Sequence, residues 1–392
     1  MKKILVFILT IGFLSNNAIA LWSTGHALVA QIAEEHLNHE TLIKVNQLLN
    51  IQPDVPELND WKQPQPSPKI LYQTYNYMQG AASWPDDLKN YYWQDFSQKN
   101  NFSDMHFIGV DINLAQQGNQ TYCQNTLNNQ YIESFIHKNS HNIINAIESA
   151  VKTLALKTTS DSQKATALRY LIHFMGDLAQ PLHTINPKLD GINTYGGNRM
   201  IFNEINTPEY NQVTGKNPLN DYTTLAIDKL HAYFDSDLAQ FNQLQETMDS
   251  KYSPQGYELW YQYKNEYLAY LHYLALQTGQ YTDQISPSIT HWAKQSAQLG
   301  CEILITDQDS FHYQANTTKK LITITWNPKT FSQYNNKFNQ QIYLNGMRLA
   351  YLLEAIYNPD SINPIIISYR KLIINPIVNN PNIVTLSELS QQ

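Results

Sequence analysis

The sequence predicts a mainly α, single compact helical domain with long loops. Apolar residues recur at three- and four-residue intervals through several segments, the spacing that gathers them on one helix face. Prolines and glycines cluster between those segments, where they act as breakers. The 392 residues are 42% hydrophobic, enough for a sizeable core, and no internal repeat or flexible linker divides them.

The chain opens on Met1-Lys2-Lys3, an apolar run from Ile4 to Leu14, and then Ala18-Ile19-Ala20. A basic start, a short apolar stretch and an A-x-A site read as a secretory signal cleaved after residue 20. The run is too short to cross a bilayer, so the expectation is export to the periplasm or medium with no membrane span.

Ser23-Thr24 can cap a first helix carrying Leu28, Val29, Ile32, Ala33 and Leu37. Residues 52–68 hold five prolines and read as a surface loop. Ala165 to Ala179 is a strong helix with Ala167, Leu168, Leu171, Ile172 and Met175 on its apolar side. It ends before Pro181, which places His183 in the turn beyond it. Residues 190–222 read as loop, and helices resume over 223–247, 256–278, 286–304 and 340–357. The Ile-rich, Pro-punctuated tail over 359–392 reads as extended strands or as an arm packed on the domain over 21–358.

Removal of the signal takes Lys2 and Lys3 with it, leaving 24 basic against 33 acidic side chains, about -9. That balance argues against a basic nucleic-acid-binding surface of the usual kind. A nucleic acid substrate would need bound cations to supply local positive charge. The two cysteines, Cys123 and Cys301, would most simply pair in an oxidising compartment, or remain two thiols.

Chemistry concentrates in the histidines. His173 and Asp177 stand four residues apart, with His183 six further on, and His231 and Asp235 repeat the four-residue interval. Residues at that interval share a helix face, and His with Asp and no Cys suits zinc or a similar divalent ion. Asp86 and Asp87 after Trp84-Pro85, His106 in an apolar setting, and His26 at the first mature helix are further candidates. Singly, each has a plainer reading: an N-cap for the acids, a satisfied core imidazole for His106. Together they would bury too much polarity without a metal.

These residues resemble the S1/P1 nuclease family of zinc-dependent single-strand nucleases and 3′-nucleotidases. The motifs are Gly25-His26, Ala82-Ser83-Trp84-Pro85-Asp86, His106-Phe107, the His173/Asp177/His183 run, Gly196-Gly197-Asn198, Leu230-His231 with Asp235, and Gly346-Met347-Arg348-Leu349-Ala350. They run in family order over about residues 21–358. The resemblance implies the fold shared by phospholipase C and P1 nuclease, and three Zn2+ ions. It assigns Asp86, His106, His173 and Asp177 to the first ion, and His183, His231 and Asp235 to the second. The third would take His26, a bridging oxygen of Asp177, and the amine and carbonyl of the mature N-terminal residue.

Family members usually begin with Trp five residues before this histidine. Here Leu21 occupies that place, so Leu21 is expected as the terminal ligand, with Trp22 as the alternative. The resemblance also gives Asp86 a part in orienting the nucleophile and Lys89 one in neutralising transition-state charge; a solvated lysine is the plain alternative. Phe107 would stack a base, or else sit in the core. Asn198 would support a ligand or bind phosphate, or else serve the turn after Gly196-Gly197. Cys123 and Cys301 fall where family disulfides lie.

The activity implied is hydrolysis of single-stranded DNA and RNA, and of 3′-nucleotides, to 5′-phosphate products by a monomer. One departure is Gly109, where the family often carries Asp or Asn, with Asp111 two further on; this puts base preference in doubt. Two rivals remain: a zinc-dependent phospholipase C, whose later pair typically ends in Glu where this chain has Asp235, and an exported metal-binding protein without activity.

Overall fold

A computed structural model describes residues 23–54, 76–86, 102–202, 229–236, 265, 268–276, 285–326 and 328–391. The architecture is mainly α, as the sequence predicts. Helices α1 (Ser23–His36) and α2 (His39–Leu49) are followed by the short α3 (Met78–Ala81). Next come α4 (Tyr122–Thr126), α5 (Asn129–Lys138), α6 (Ile143–Ala155), α7 (Asp161–Asp177) and the single turn α8 (Pro181–Thr184). Then follow α9 (Leu230–Ser236), α10 (Ile289–Cys301) and the long α11 (Pro328–Tyr357). Residues 268–276 are also helical, within the expected 256–278 segment. The first twenty residues, most of the Pro-rich loop, Leu21, Trp22, Asp87 and Lys89 lie outside the described residues.

Helix α7 is the axis on which α1, α2, α6 and α11 pack. Ser160 closes its start with Gln163 in a reciprocal capping box, satisfying two otherwise orphaned donors. From Ala167 to Asp177 every residue is buried, as expected of a helix surrounded on all sides. Arg169, like His173 and Asp177, is a buried polar side chain of this helix. It donates to the carbonyls of Ala165 and Leu49, each at 2.8 Å, and lies over the Trp84 ring. Burial depresses its guanidinium to about 9.

Two small sheets were not legible as strands. In one, β1 (Val110–Asn113) runs parallel to β2 (Ile185–Leu189), which pairs antiparallel with β3 (Ile192–Asn193). In the other, β4 (Met200–Phe202) runs parallel to β6 (Leu321–Trp326), which forms a hairpin with β5 (Phe311–Asn316). The 190–222 segment therefore includes strand, where glycines and short apolar pieces hid it. The first sheet brings the Asp111 strand beside the chain leaving His183, which sets the geometry of the site.

The tail corrects one expectation: it is helical, not extended. Pro364 begins α12 (Pro364–Tyr369), and Pro376 lies in the first turn of α13 (Asn375–Asn379), positions that proline tolerates. A last turn, α14 (Leu386–Leu389), follows. It does pack on the body as an arm. Lys152 donates to the carbonyls of Asn380 and Ile383, and Leu386 N to Thr153 Oγ1. Tyr369 stacks on Trp292 and donates its hydroxyl to the carbonyl of Ile285. Cys123 and Cys301 form a disulfide tying α4 to the end of α10. No helix among the described residues is long and apolar enough to cross a membrane.

Candidate metal centre

Helix α7 ends with His173, Gly176 and Asp177, and α1 crosses it so that His26 lies directly on this end. A Cβ at Gly176 would overlap His26 Nδ1, so only glycine lets the two helices approach this closely. The His26 and His173 rings stack with centroids 4.1 Å apart. Asp86, after the Trp84-Pro85 turn, and His106, before β1, approach the same point.

The side chains form three buried groups whose ligand atoms lie within 4.8 Å of one another: His26, His173 and Asp177; Asp86, His106 and His173; and His183, His231 and Asp235. The first two are interlocked. Asp177 Oδ2 lies 2.9 Å from His106 Nδ1 and 3.1 Å from His173 Nε2. Its Oδ1 lies 3.5 Å from His26 Nε2 and 3.7 Å from His183 Nδ1. One carboxylate thus faces two directions, as expected of a bridge. Asp86 Oδ1 is 3.7 Å from His173 Nε2 and 4.0 Å from His106 Nδ1. In the remaining group, Asp235 lies 3.7 Å from His183 Nε2 through Oδ1 and 3.4 Å from His231 Nε2 through Oδ2. Two ligands on a tetrahedral ion with bonds of about 2.0–2.1 Å are separated by roughly 3.3 Å, so these spacings fit.

Backbone carbonyls fix the orientation of three rings. His173 Nδ1 donates to Ala82 O at 2.7 Å, His183 Nδ1 to His106 O at 2.7 Å, and His231 Nδ1 to Gly196 O at 2.6 Å. A carbonyl only accepts, so the proton sits on Nδ1 and the lone pair of Nε2 points into the cluster. Gly196 has φ +64 and a Cβ there would come 2.7 Å from Leu182 O, which is why this turn needs glycine.

The electrostatics call for a cation. His26 is fully buried with no hydrogen bond at either nitrogen, and Asp86 Oδ1, Asp177 Oδ1 and His183 Nε2 also lack a hydrogen-bond partner. Burial, then His173, lowers the His26 pKa. Burial also acts to lower His173, but Asp177 and Asp86 outweigh it and hold that imidazole up at about 9. Burial would raise Asp177, yet His173, His183 and His106 keep it well below the usual carboxylate range. Orphaned nitrogen and oxygen donors without cysteine are a donor set suited to divalent ions of the zinc type.

The structure also reveals Gln180, which the sequence reading passed over. Its amide donates to Asp235 Oδ1 at 2.8 Å and its carbonyl accepts from Leu182 N. Its place between Asp177 and His183 was the available signal. Phe107 is 42% exposed, which rules out the core alternative. Asn198 Nδ2 donates to Tyr195 O at 2.8 Å in the turn, while its Oδ1 is buried without a hydrogen bond.

The S1/P1 nuclease family model matches residues 21–358. The chain belongs to that family. Among curated relatives it is 24% identical to Endonuclease 5 of Arabidopsis thaliana over 208 residues, 52% of this chain and 57% of that one. It is 26% identical to Nuclease P1 of Penicillium citrinum over 177 residues, 45% of this chain and 49% of that one. Endonuclease 3 of Arabidopsis thaliana is 23% identical over 235 residues, 60% and 64% of the two chains. The chain thus spans about half to just under two thirds of the length of these relatives.

Proposed function

We propose that this S1/P1 family member is an exported, zinc-dependent endonuclease of single-stranded DNA and RNA with 3′-nucleotidase activity, acting as a monomer. The observation that carries the reading is the interlocking of buried His/Asp groups through His173 and Asp177, with the third group alongside. Asp86, His106, His173 and Asp177 would hold one ion and His183, His231 and Asp235 a second. His26 and Asp177 would hold a third, completed by the Leu21 amine and carbonyl, with Trp22 the alternative terminus. Bound divalent ions would supply Lewis acidity, lowering the pKa of a water, neutralising phosphate charge and stabilising the leaving oxygen.

The chain's own groups do the rest. The Ala82, His106 and Gly196 carbonyls and the Gln180 amide hold ligand side chains in one orientation, so little reorganisation accompanies reaction. Asp86 orients the attacking water and Lys89 neutralises charge on the phosphorus centre. Exposed Phe107 offers a base a flat apolar face, worth roughly 1–3 kcal/mol and available only to an unstacked base; this favours single strands. Cleavage of the P–O3′ bond adds water and leaves a 5′-phosphate and a 3′-hydroxyl.

A side-by-side assay on single-stranded DNA, RNA, 3′-AMP and phosphatidylcholine tests the reading. Turnover of the nucleic acids and 3′-AMP supports it; turnover of the lipid alone overturns it in favour of a phospholipase. Absence of any turnover, with fewer than two tightly bound ions, favours a non-enzymatic protein. The terminal ligand is tested separately: active protein should begin at Leu21 or Trp22 on N-terminal sequencing, and any other start overturns it.

A further inference from the structure

Tyr195 sits one residue before Gly196, whose carbonyl holds His231 Nδ1. It is 57% exposed and has φ +52, a left-handed conformation that a bulky side chain seldom adopts. The turn enforces it: Asn193 Oδ1 accepts from Tyr195 N at 3.0 Å, and Asn198 Nδ2 donates to Tyr195 O at 2.8 Å. The Arg199 guanidinium lies 4.5 Å from the ring centroid, a cation–π pair. A large aromatic ring held in solvent in an unfavourable backbone conformation points to a use for the ring.

Its position relative to Phe107 indicates the use. His183 Nδ1 is held by the carbonyl of His106, the residue before Phe107; His231 Nδ1 is held by the carbonyl of Gly196, the residue after Tyr195. The two imidazoles lie with ring centroids 5.0 Å apart. Asn186 joins the two walls. Its Oδ1 accepts from Gly196 N at 3.3 Å, and its Cβ lies 3.7 Å from the place of a Cβ on Gly109, against which Phe107 also rests at 3.8 Å. The two histidines of the His183/His231/Asp235 group are therefore each oriented by the carbonyl of a residue next in sequence to an exposed aromatic residue, Phe107 for His183 and Tyr195 for His231.

We propose that Tyr195 and Arg199 form a second nucleotide subsite, across the scissile phosphate from the base on Phe107. Tyr195 stacks a nucleobase on the ring surface that Arg199 leaves exposed, and Arg199 contacts a neighbouring backbone phosphate. In an acidic chain, such a built cation–aromatic pair supplies a local attraction for the strand that net charge does not. The proposal rests on the nuclease reading above.

The test compares wild type with Tyr195→Gly, Tyr195→Phe and Arg199→Gln, all metal-loaded. Anisotropy measures binding of a labelled, hydrolysis-resistant phosphorothioate oligonucleotide. Kinetics compare a single-stranded oligonucleotide with a 3′-mononucleotide, which has no base to place at Tyr195. Glycine suits the local φ, so Tyr195→Gly removes the ring without straining the turn.

The expected results are oligonucleotide binding weakened roughly 5- to 100-fold in Tyr195→Gly, near wild-type binding in Tyr195→Phe, and in Arg199→Gln a loss greatest at low salt, with a shallower salt dependence of binding than wild type. Loss of oligonucleotide kcat/KM should exceed that on the mononucleotide at least five-fold, with metal content equal to wild type. Unchanged oligonucleotide binding, or equal losses on both substrates accompanied by loss of metal, overturns the proposal. A wild type that binds in a Tyr195-dependent way but hydrolyses neither substrate overturns the nuclease reading and leaves the subsite standing. Hydrolysis of both with Tyr195-independent binding does the reverse.

Discussion

The Gln180 amide donates to Asp235 Oδ1 at 2.8 Å while its own carbonyl is taken by Leu182 N, so the chain between Asp177 and His183 fixes a carboxylate contributed by a helix some fifty residues away. Groups that orient a ligand in this way typically change metal affinity about 10- to 100-fold when removed. Gln180→Leu should weaken one ion by that factor and leave the His106/His173 ions tight. Competition titration against a chromophoric chelator measures it, and uniform affinity for all ions in the variant would refute the assignment.

Gly176 is the point where α1 presses His26 onto α7, and a methyl group there would overlap the His26 ring. Gly176→Ala should therefore lose one bound ion per chain, read by plasma mass spectrometry, while the His183/His231/Asp235 group keeps its ion. Chelation of wild type should lower the melting temperature, and excess Zn2+ should restore it, since ions held at 100 times Kd stabilise by about 2.7 kcal/mol.

Glu148 lines a cavity of about 660 Å³ whose apolar lining is mainly isoleucines of α5, α6, α10 and the tail. Burial raises its carboxyl from 4.5 to about 7. Between those values the folded state holds more protons at this carboxyl than the unfolded, so the contribution of Glu148 to stability is most favourable below 4.5 and falls as pH rises towards 7. The full loss above that range is about 3 kcal/mol. Glu148→Gln should remove this slope, stabilising the protein by about that amount at high pH and little at low pH. Urea denaturation across pH tests it; an unchanged slope would sink the idea.

The Cys123–Cys301 bridge spans 178 residues. Chain entropy assigns such a loop up to about 5 kcal/mol, with measured values commonly 2–4. Cys123→Ser with Cys301→Ser should lower stability by about that much. It should also loosen α10, against which the turn carrying His183 packs: Gly300 lies so near Pro181 and Ile185 that a Cβ would come within 3.0 Å of each. The checks are denaturation and the exchange rate of the ion at His183.

Much of the site was legible because its ligands lie at helical intervals. The pairs His173/Asp177 and His231/Asp235 need only a helix to share a face. Helix α7 was legible for the same reason, whereas α11 begins twelve residues before the segment that was expected, since its Asn- and Gln-rich start carries no apolar stripe. The strands around Asn186 and Met200 were hidden because each is short and gains its hydrogen bonds from a distant partner. The tail misled because isoleucine favours strands intrinsically, while packing against α6 and Trp292 decided for helix.

The sequence by itself determined which residues can ligate metal, the family, and the helices that carry His173, Asp177, His231 and Asp235, because residue chemistry and i, i+4 spacing are local properties. Tertiary structure alone decided that Asp177 faces two groups, that carbonyls of Ala82, His106 and Gly196 set three imidazoles, and that Gln180 anchors Asp235. It also decided that the two imidazoles of one group are set by carbonyls next in sequence to the exposed Phe107 and Tyr195. Each of these is a contact between segments far apart in the chain, fixed by how α1, α7 and the loop glycines pack, and no local pattern encodes it.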